Sequence, residues 1–145
     1  MNKLKFTVPG EPCAQGRPRF TTRGGYAQAV DPAKSRNQKA FIRYIATDAA
    51  KRQGWNYTDK ALSVEITAVL SVPKSKPKKW KKAALEGGVR PTKKPDCDNI
   101  FKLITDAMSG VIYADDKQIV SCSVRKVYGE EPYTEVQIKE MLTNE

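Results

Sequence analysis

Residues 62–72 read LSVEITAVLSV, and their alternation decides how the rest of the chain is parsed. Leu62, Val64, Ile66, Ala68, Leu70 and Val72 share one face at period two, with Ser63, Glu65, Thr67 and Ser71 on the other. That pattern predicts a strand covered on one side. Toward the N-terminus, residues 3–8 repeat it with Leu4, Phe6 and Val8 against Lys3, Lys5 and Thr7. Between these strands, Asp31 and Pro32 predict the start of a helix over residues 32–53, with Asp31 as N-cap and Gly54 as the stop. Phe41, Tyr44, Ile45 and Ala49 recur on it as an apolar stripe, expected in the core or in a dimer seam. Residues 9–30, with their glycines, prolines and arginines, read as an extended basic loop.

Toward the C-terminus, a helix is predicted over residues 99–109, capped by Asp98 and stopped by Gly110. Ile100, Leu103, Ile104, Ala107 and Met108 form its apolar stripe. Strands follow over residues 118–128 and 133–138, the first turning Val120, Cys122 and Val124 inward. No repeat or internal boundary interrupts residues 1–145. The expectation is one α+β domain, a small and mainly antiparallel sheet packed against two main helices.

Composition narrows the function. Lys and Arg total 26 against 16 Asp and Glu, for a net charge of +10. The positive charge is clustered, which points to nucleic acid more than to solubility alone. Histidine is absent, which removes Ser-His and Cys-His nucleophile pairs and the usual zinc ligands. Three cysteines, Cys13, Cys97 and Cys122, show no paired spacing and no disulfide framework. No apolar run is long enough to span a bilayer and no targeting signal is read, so a cytoplasmic protein is expected. Between Pro73 and Pro95, Lys74, Lys76, Lys78, Lys79, Lys81, Lys82, Arg90, Lys93 and Lys94 are set against one acid, Glu86. This insert, with a short helical turn around residues 80–85, is expected to be mobile when free and to grip phosphates. Arg17 and Arg19 are further candidate phosphate contacts, though each basic residue could also be plain solvated surface.

The chemistry concentrates in residues 94–118, KPDCDNIFKLITDAMSGVIYADDKQ. Asp98, Lys102 and Asp106 lie four residues apart along one side of the helix. The segment 110–115 is long enough to run back along that helix and bring Asp115 and Asp116 to Asp96 and Asp98. Gathered carboxylates repel unless a hard cation joins them, so Asp96, Asp98, Asp115 and Asp116 are candidate ligands for Mg²⁺ or Mn²⁺. Such a site can activate water and offset charge developing on a phosphodiester. Read alone, Asp98 could be a mere cap and Asp115 and Asp116 mere turn residues. Tyr113 is expected to pack against the sheet and Cys97 to be a packed side chain.

The pattern K-P-D-x-D-N-x-x-K-x-x-x-D-A-x-x-G-x-x-Y-x-D-D-x-Q, from Lys94 to Gln118, resembles that of the RusA-type Holliday junction resolvases. It covers about a sixth of the chain without a departure, and residues 16–19, Gly-Arg-Pro-Arg, resemble the family more weakly. The resemblance implies a small α+β homodimer and a Mg²⁺- or Mn²⁺-dependent nuclease making paired, symmetric cuts across four-way DNA junctions. It implies essential acids at Asp96, Asp98 and Asp116 and an important lysine at Lys102, with Asp115 as ligand or orienting group. Two other readings stay open: a nuclease cutting flaps or ordinary duplex with the same acids, and a non-catalytic basic DNA-binding module.

Overall fold

The structure is a computed structural model that describes residues 2–13, 19–21, 28–30 and 33–141, side chains included except at 19–21 and 28–30. The period-two stretches form strands β1 (Lys3–Pro9) and β4 (Leu62–Ser71). Residues 19–21 and 28–30, read as loop, pair instead as two short antiparallel strands, β2 (Arg19–Thr21) and β3 (Gln28–Val30). Helix α1 spans Ala33–Gln53, α2 Lys78–Leu85 and α3 Cys97–Met108; β5 (Ile119–Gly129) and β6 (Tyr133–Glu140) complete the chain. The expected cap at Asp31 lies outside the described residues.

β1, β6, β4 and β5 line up in that order as a four-stranded sheet. Two of its ladders are antiparallel, but β4 and β5 run parallel, so the sheet is mixed rather than mainly antiparallel. The reason is the connection. Parallel neighbours need a crossover, and α3 is the helix that returns the chain from the end of β4 to the start of β5. Among the described residues there are three α-helices, since the lysine-rich insert folds as α2 around half-buried Trp80 and buried Ala84.

Leu4, Phe6 and Val8, Val136 and Ile138, and Leu62 through Leu70 at period two make one apolar face. Ile42, Ala46 and Ala49 of α1 and the stripe of α3 cover it. The stripe of α1 is therefore turned by about one residue from the expectation. Phe41 and Tyr44 are 41% and 72% exposed, because small Ala46 and Ala49 are what let α1 approach α3 closely. Arg43 fastens that approach by donating to the Ala107 carbonyl at 3.0 Å.

β5 also departs from its reading. Cys122 and Val124 share the helix-side face, pairing with Val64 and Ile66, but only Val124 is covered. Val120 is the extra residue at a register shift opposite Leu62 and Ser63 and is 63% exposed. Four successive residues, 120–123, face solvent in an edge strand.

Candidate active site

Helix α3 begins two residues earlier than predicted, so Asp96, not Asp98, is its N-cap. Asp96 has extended backbone (φ −76°, ψ 149°), yet its side chain makes no capping hydrogen bond. Asp98 sits in the first turn, and both carboxylates are exposed. Among the described residues neither accepts a hydrogen bond or forms an ion pair. The unsatisfied N–H groups of a helix start face this region and favour negative charge or an anion there. The approach to the cap is held by Lys126, whose Nζ donates to the carbonyls of Lys93 (2.5 Å) and Pro95 (3.0 Å). Cys97 is exposed rather than packed, its Sγ 3.8 Å from the Val124 carbonyl.

Asp115 and Asp116 are placed in the opposite way. Asp115 caps a single 3-10 turn, Asp116–Gln118, accepting from Lys117 N at 2.9 Å while its own N–H donates to Gln118 Oε1 at 2.7 Å. The capping reading is thus realised for Asp115. Gln118 is buried, and its Nε2 donates to the carbonyls of Thr58 (3.0 Å) and Lys60 (2.8 Å), stapling this corner to the loop before β4. Asp116 is half-buried and accepts from the Tyr113 hydroxyl at 2.7 Å.

Tyr113 is fully buried, as packing required, and its hydroxyl lies 3.1 Å from the Thr105 carbonyl as well. One hydroxyl proton serves one acceptor, and the shorter, charge-assisted contact is to Asp116. Burial first, then the hydrogen bond to Asp116 and the charges of Asp116, Asp106 and Asp115, hold the phenol far above its ordinary pKa. It is a neutral donor at any physiological pH. Its positioning role was missed in the sequence, where the signal was the three-residue interval between Tyr113 and Asp116.

These contacts fix where the acids lie. Segment 110–115 does not extend back along α3. Gly110, at φ +85°, admits a tight turn in which its N–H meets the Tyr113 carbonyl at 2.7 Å and Ile112 N meets the Met108 carbonyl at 2.9 Å. Trp55 Nε1 pins the turn from outside by donating to the Ile112 carbonyl at 2.8 Å. Asp116 is consequently moored beside Thr105, seven residues and about 10 Å along α3 from Asp98. Among the described residues no three acidic or thiol side chains come together in a metal-holding group. One chain brings together Asp96 with Asp98, and Asp115 with Asp116, but not the two pairs.

Lys102 is exposed and forms no ion pair among the described residues. Asp106 pairs with Lys39 of α1 at 3.7 Å rather than with Lys102. Lys74, Lys76, Lys78, Lys79, Lys93 and Lys94 are all exposed. Lys76 stands over the Trp80 ring at 5.2 Å, and Trp80 meets Tyr128 edge-on at 5.5 Å, docking the basic arm on β5. Arg90 and Arg125 line a cavity of about 390 Å³ between arm and strand. Arg17 lies outside the described residues, and of Arg19 only its place in β2 is described.

The family model described as endodeoxyribonuclease RusA matches residues 9–139. The chain is also 43% identical over 143 residues to the uncharacterized protein YqaN of Bacillus subtilis (strain 168), covering 97% of this chain and 99% of that protein.

Proposed function

The chain belongs to the RusA endodeoxyribonuclease family, and on that premise we propose that it is a divalent-metal-dependent nuclease that resolves four-way DNA junctions, as a homodimer, by paired symmetric phosphodiester hydrolysis. One observation carries the reading. Asp96 and Asp98 present carboxylates that are unpartnered among the described residues at a helix N-terminus, immediately after the exposed Lys93 and Lys94.

The chemistry of Asp96 and Asp98 suits a hard cation such as Mg²⁺ or Mn²⁺: oxygen donors, exposed, and with no ion pair among the described residues. Asp96 and Asp98 would hold it; the family resemblance adds Asp116, with Asp115 adjoining, which lie apart from that pair in this chain. When bound, the ion supplies Lewis-acid polarisation of the phosphoryl group and a water made nucleophilic at neutral pH. The protein's own part is to place the phosphate. The arm lysines and Lys94 bring backbone charge to the α3 N-terminus, and helix N–H groups favour an anion there. Lys102, one turn beyond Asp98 on the same side of α3, is placed to offset negative charge developing on the phosphate. Asp115 is occupied as a turn cap, so its expected role is to hold Asp116 in place.

The test is a synthetic four-way junction incubated with the protein, with and without Mg²⁺, beside linear duplex and flap substrates of the same sequence. Paired cuts restricted to the junction and dependent on the ion are expected. Equal cutting of linear duplex would reassign the enzyme to another nuclease class. Binding without any nicking would leave a basic DNA-binding module.

A further inference from the structure

The lysine-rich segment 73–95 holds one acid, Glu86, and that acid caps the end of α2, where the arm turns back. Gly87, at φ +86°, admits the reversal: its N–H donates to the Ala84 carbonyl at 3.2 Å, and that of Gly88 to the Ala83 carbonyl at 2.8 Å. The turn sets Glu86 and Arg90 on the lining of one cavity of about 390 Å³, bounded on its strand side by Arg125, Val127 and Tyr128. Trp80 meets Tyr128 edge-on and Lys76 stands over Trp80, so the arm itself fixes the aromatic wall.

The charges of this cavity do not cancel. Among the described residues the Glu86 carboxylate and the Arg90 guanidinium form no ion pair or hydrogen bond, although both line the same space. Arg125 engages only its Nε, which donates to Thr67 Oγ1 at 3.3 Å. A phosphate would meet two guanidiniums, but also Glu86 and the carbonyl end of α2, which both repel an anion. A purely apolar guest would give the three charged groups nothing to bind. A nucleobase suits every wall: apolar faces for Leu85, Val127 and Tyr128, a donor edge for the carboxylate, and acceptors for the arginines.

The cavity stands close to the acids at the start of α3. Arg90 precedes Asp96 by six residues, at most about 20 Å of extended chain. Arg125 and Lys126 are neighbours on β5 with side chains on opposite faces, and Lys126 holds the carbonyls of Lys93 and Pro95 at the entry to α3. One short piece of strand thus carries both a wall of the cavity and the mooring of the helix start. DNA whose backbone lies at Asp96 and Asp98 has bases that reach the cavity within about six nucleotides, at ~3.4 Å each. We propose that the cavity is a nucleobase subsite. It takes one base turned out of the DNA stack near the cut, with Glu86, Arg90 and Arg125 reading its edges and Tyr128 stacking on its face. The subsite rests on DNA as the substrate, as read above, and not on the metal chemistry.

The experiment is base discrimination in binding, measured without Mg²⁺ so that no cutting is needed. Four-way junctions carrying each of the four bases in turn, at every position within about six nucleotides of the crossover, are titrated by gel shift. One position is expected to show a preference of about tenfold between its best and worst base. Glu86→Gln and Arg90→Ala, at exposed side chains without internal partners, should each reduce that preference to about twofold or less. Glu86→Gln separates the two possible roles. Removing an acid beside a phosphate contact raises affinity for every sequence alike, whereas losing a base contact levels one position. Uniform changes in both variants, with Arg90→Ala lowering the salt slope by about 1, would mark a phosphate contact and overturn the proposal. So would a wild type without preference at any of these positions, or a preference that both variants keep.

A second measurement reads the extruded base directly. 2-Aminopurine at the preferred position, quenched while stacked in duplex, is expected to brighten when the wild type binds, and to brighten less with saturating Arg90→Ala protein. Fluorescence that stays quenched leaves the base in the helix and overturns the subsite. Neither measurement depends on cleavage. A wild type that discriminates bases but nicks no branched DNA sinks the nuclease reading and leaves the subsite standing; one that cuts junctions without discriminating does the reverse.

Discussion

The two ends of α3 hold aspartates in opposite states. At the start, Asp96 occupies a cap position without capping, and Asp98 stands exposed beside it. Toward the other end, the side chains of Asp115, Asp116 and Gln118 are each engaged: Asp115 by Lys117 N, Asp116 by Tyr113, Gln118 by Asp115 N, Thr58 and Lys60. The contrast separates two requirements of a metal-assisted hydrolase. Ligands must be free of competing partners, and their directions must be set beforehand so that no reorganisation accompanies reaction. The helix start meets the first requirement, the turn the second.

The contrast would dissolve if the two ends responded alike to substitution. The largest effect is expected for Asp96→Asn, a loss of cleavage of about 10³-fold with junction binding retained or strengthened, because a negative charge leaves a phosphate-facing surface. Steady-state cleavage beside gel-shift titration checks it; wild-type cutting by this variant would remove the helix start from the chemistry. Next comes the arm. Changing Lys74, Lys76, Lys78 and Lys79 to Gln should flatten the dependence of log affinity on log salt by about 3, and an unchanged slope would remove the arm from DNA binding.

The turn should answer through stability first. Gln118→Ala leaves the Lys60 carbonyl and the N–H of Asp115 without this partner and the Thr58 carbonyl with only the Ala114 N–H, and is expected to lower unfolding free energy by about 2–3 kcal/mol in urea titrations. Smallest is Tyr113→Phe, about 1–2 kcal/mol, with kcat reduced several-fold and KM little changed because Asp116 loses its anchor. The buried phenol's pKa is raised above 10.0, its value when unfolded, so its stabilising share is whole below that pH and declines as pH rises above it. Metal-free Tyr113→Phe should therefore lose less stability than wild type between neutral pH and pH values above about 10.

Much of this was legible in residue order. Alternation located β1 and β4, and the i, i+3, i+4 stripe of α3 is the buried face observed. Gly110 ended α3 where its positive φ is needed. Other readings failed for identifiable reasons. On α1, Ala49 is buried as expected, but Phe41 and Tyr44 are exposed and small Ala46 lies inside, because close helix contact favours small residues. On β5, Cys122 and Val120 looked inward because alternation reports a face and not whether a neighbour covers it. For Asp115 and Asp116, segment length allowed a return along α3, whereas hydrogen bonds at Gly110, Tyr113 and Gln118 chose a compact turn.

What order along the chain established was a set of groups and their local geometry: period-two strands, a one-sided helix, basic density in residues 73–94, and acids spaced around residues 96–116. Those properties depend on near neighbours in sequence. Which acids share a space depended on strand direction, since placing β5 parallel to β4 sends the two pairs to different ends of one helix. Strand direction is a matter of long-range backbone pairing, and alternating side chains look the same whichever way a neighbour runs.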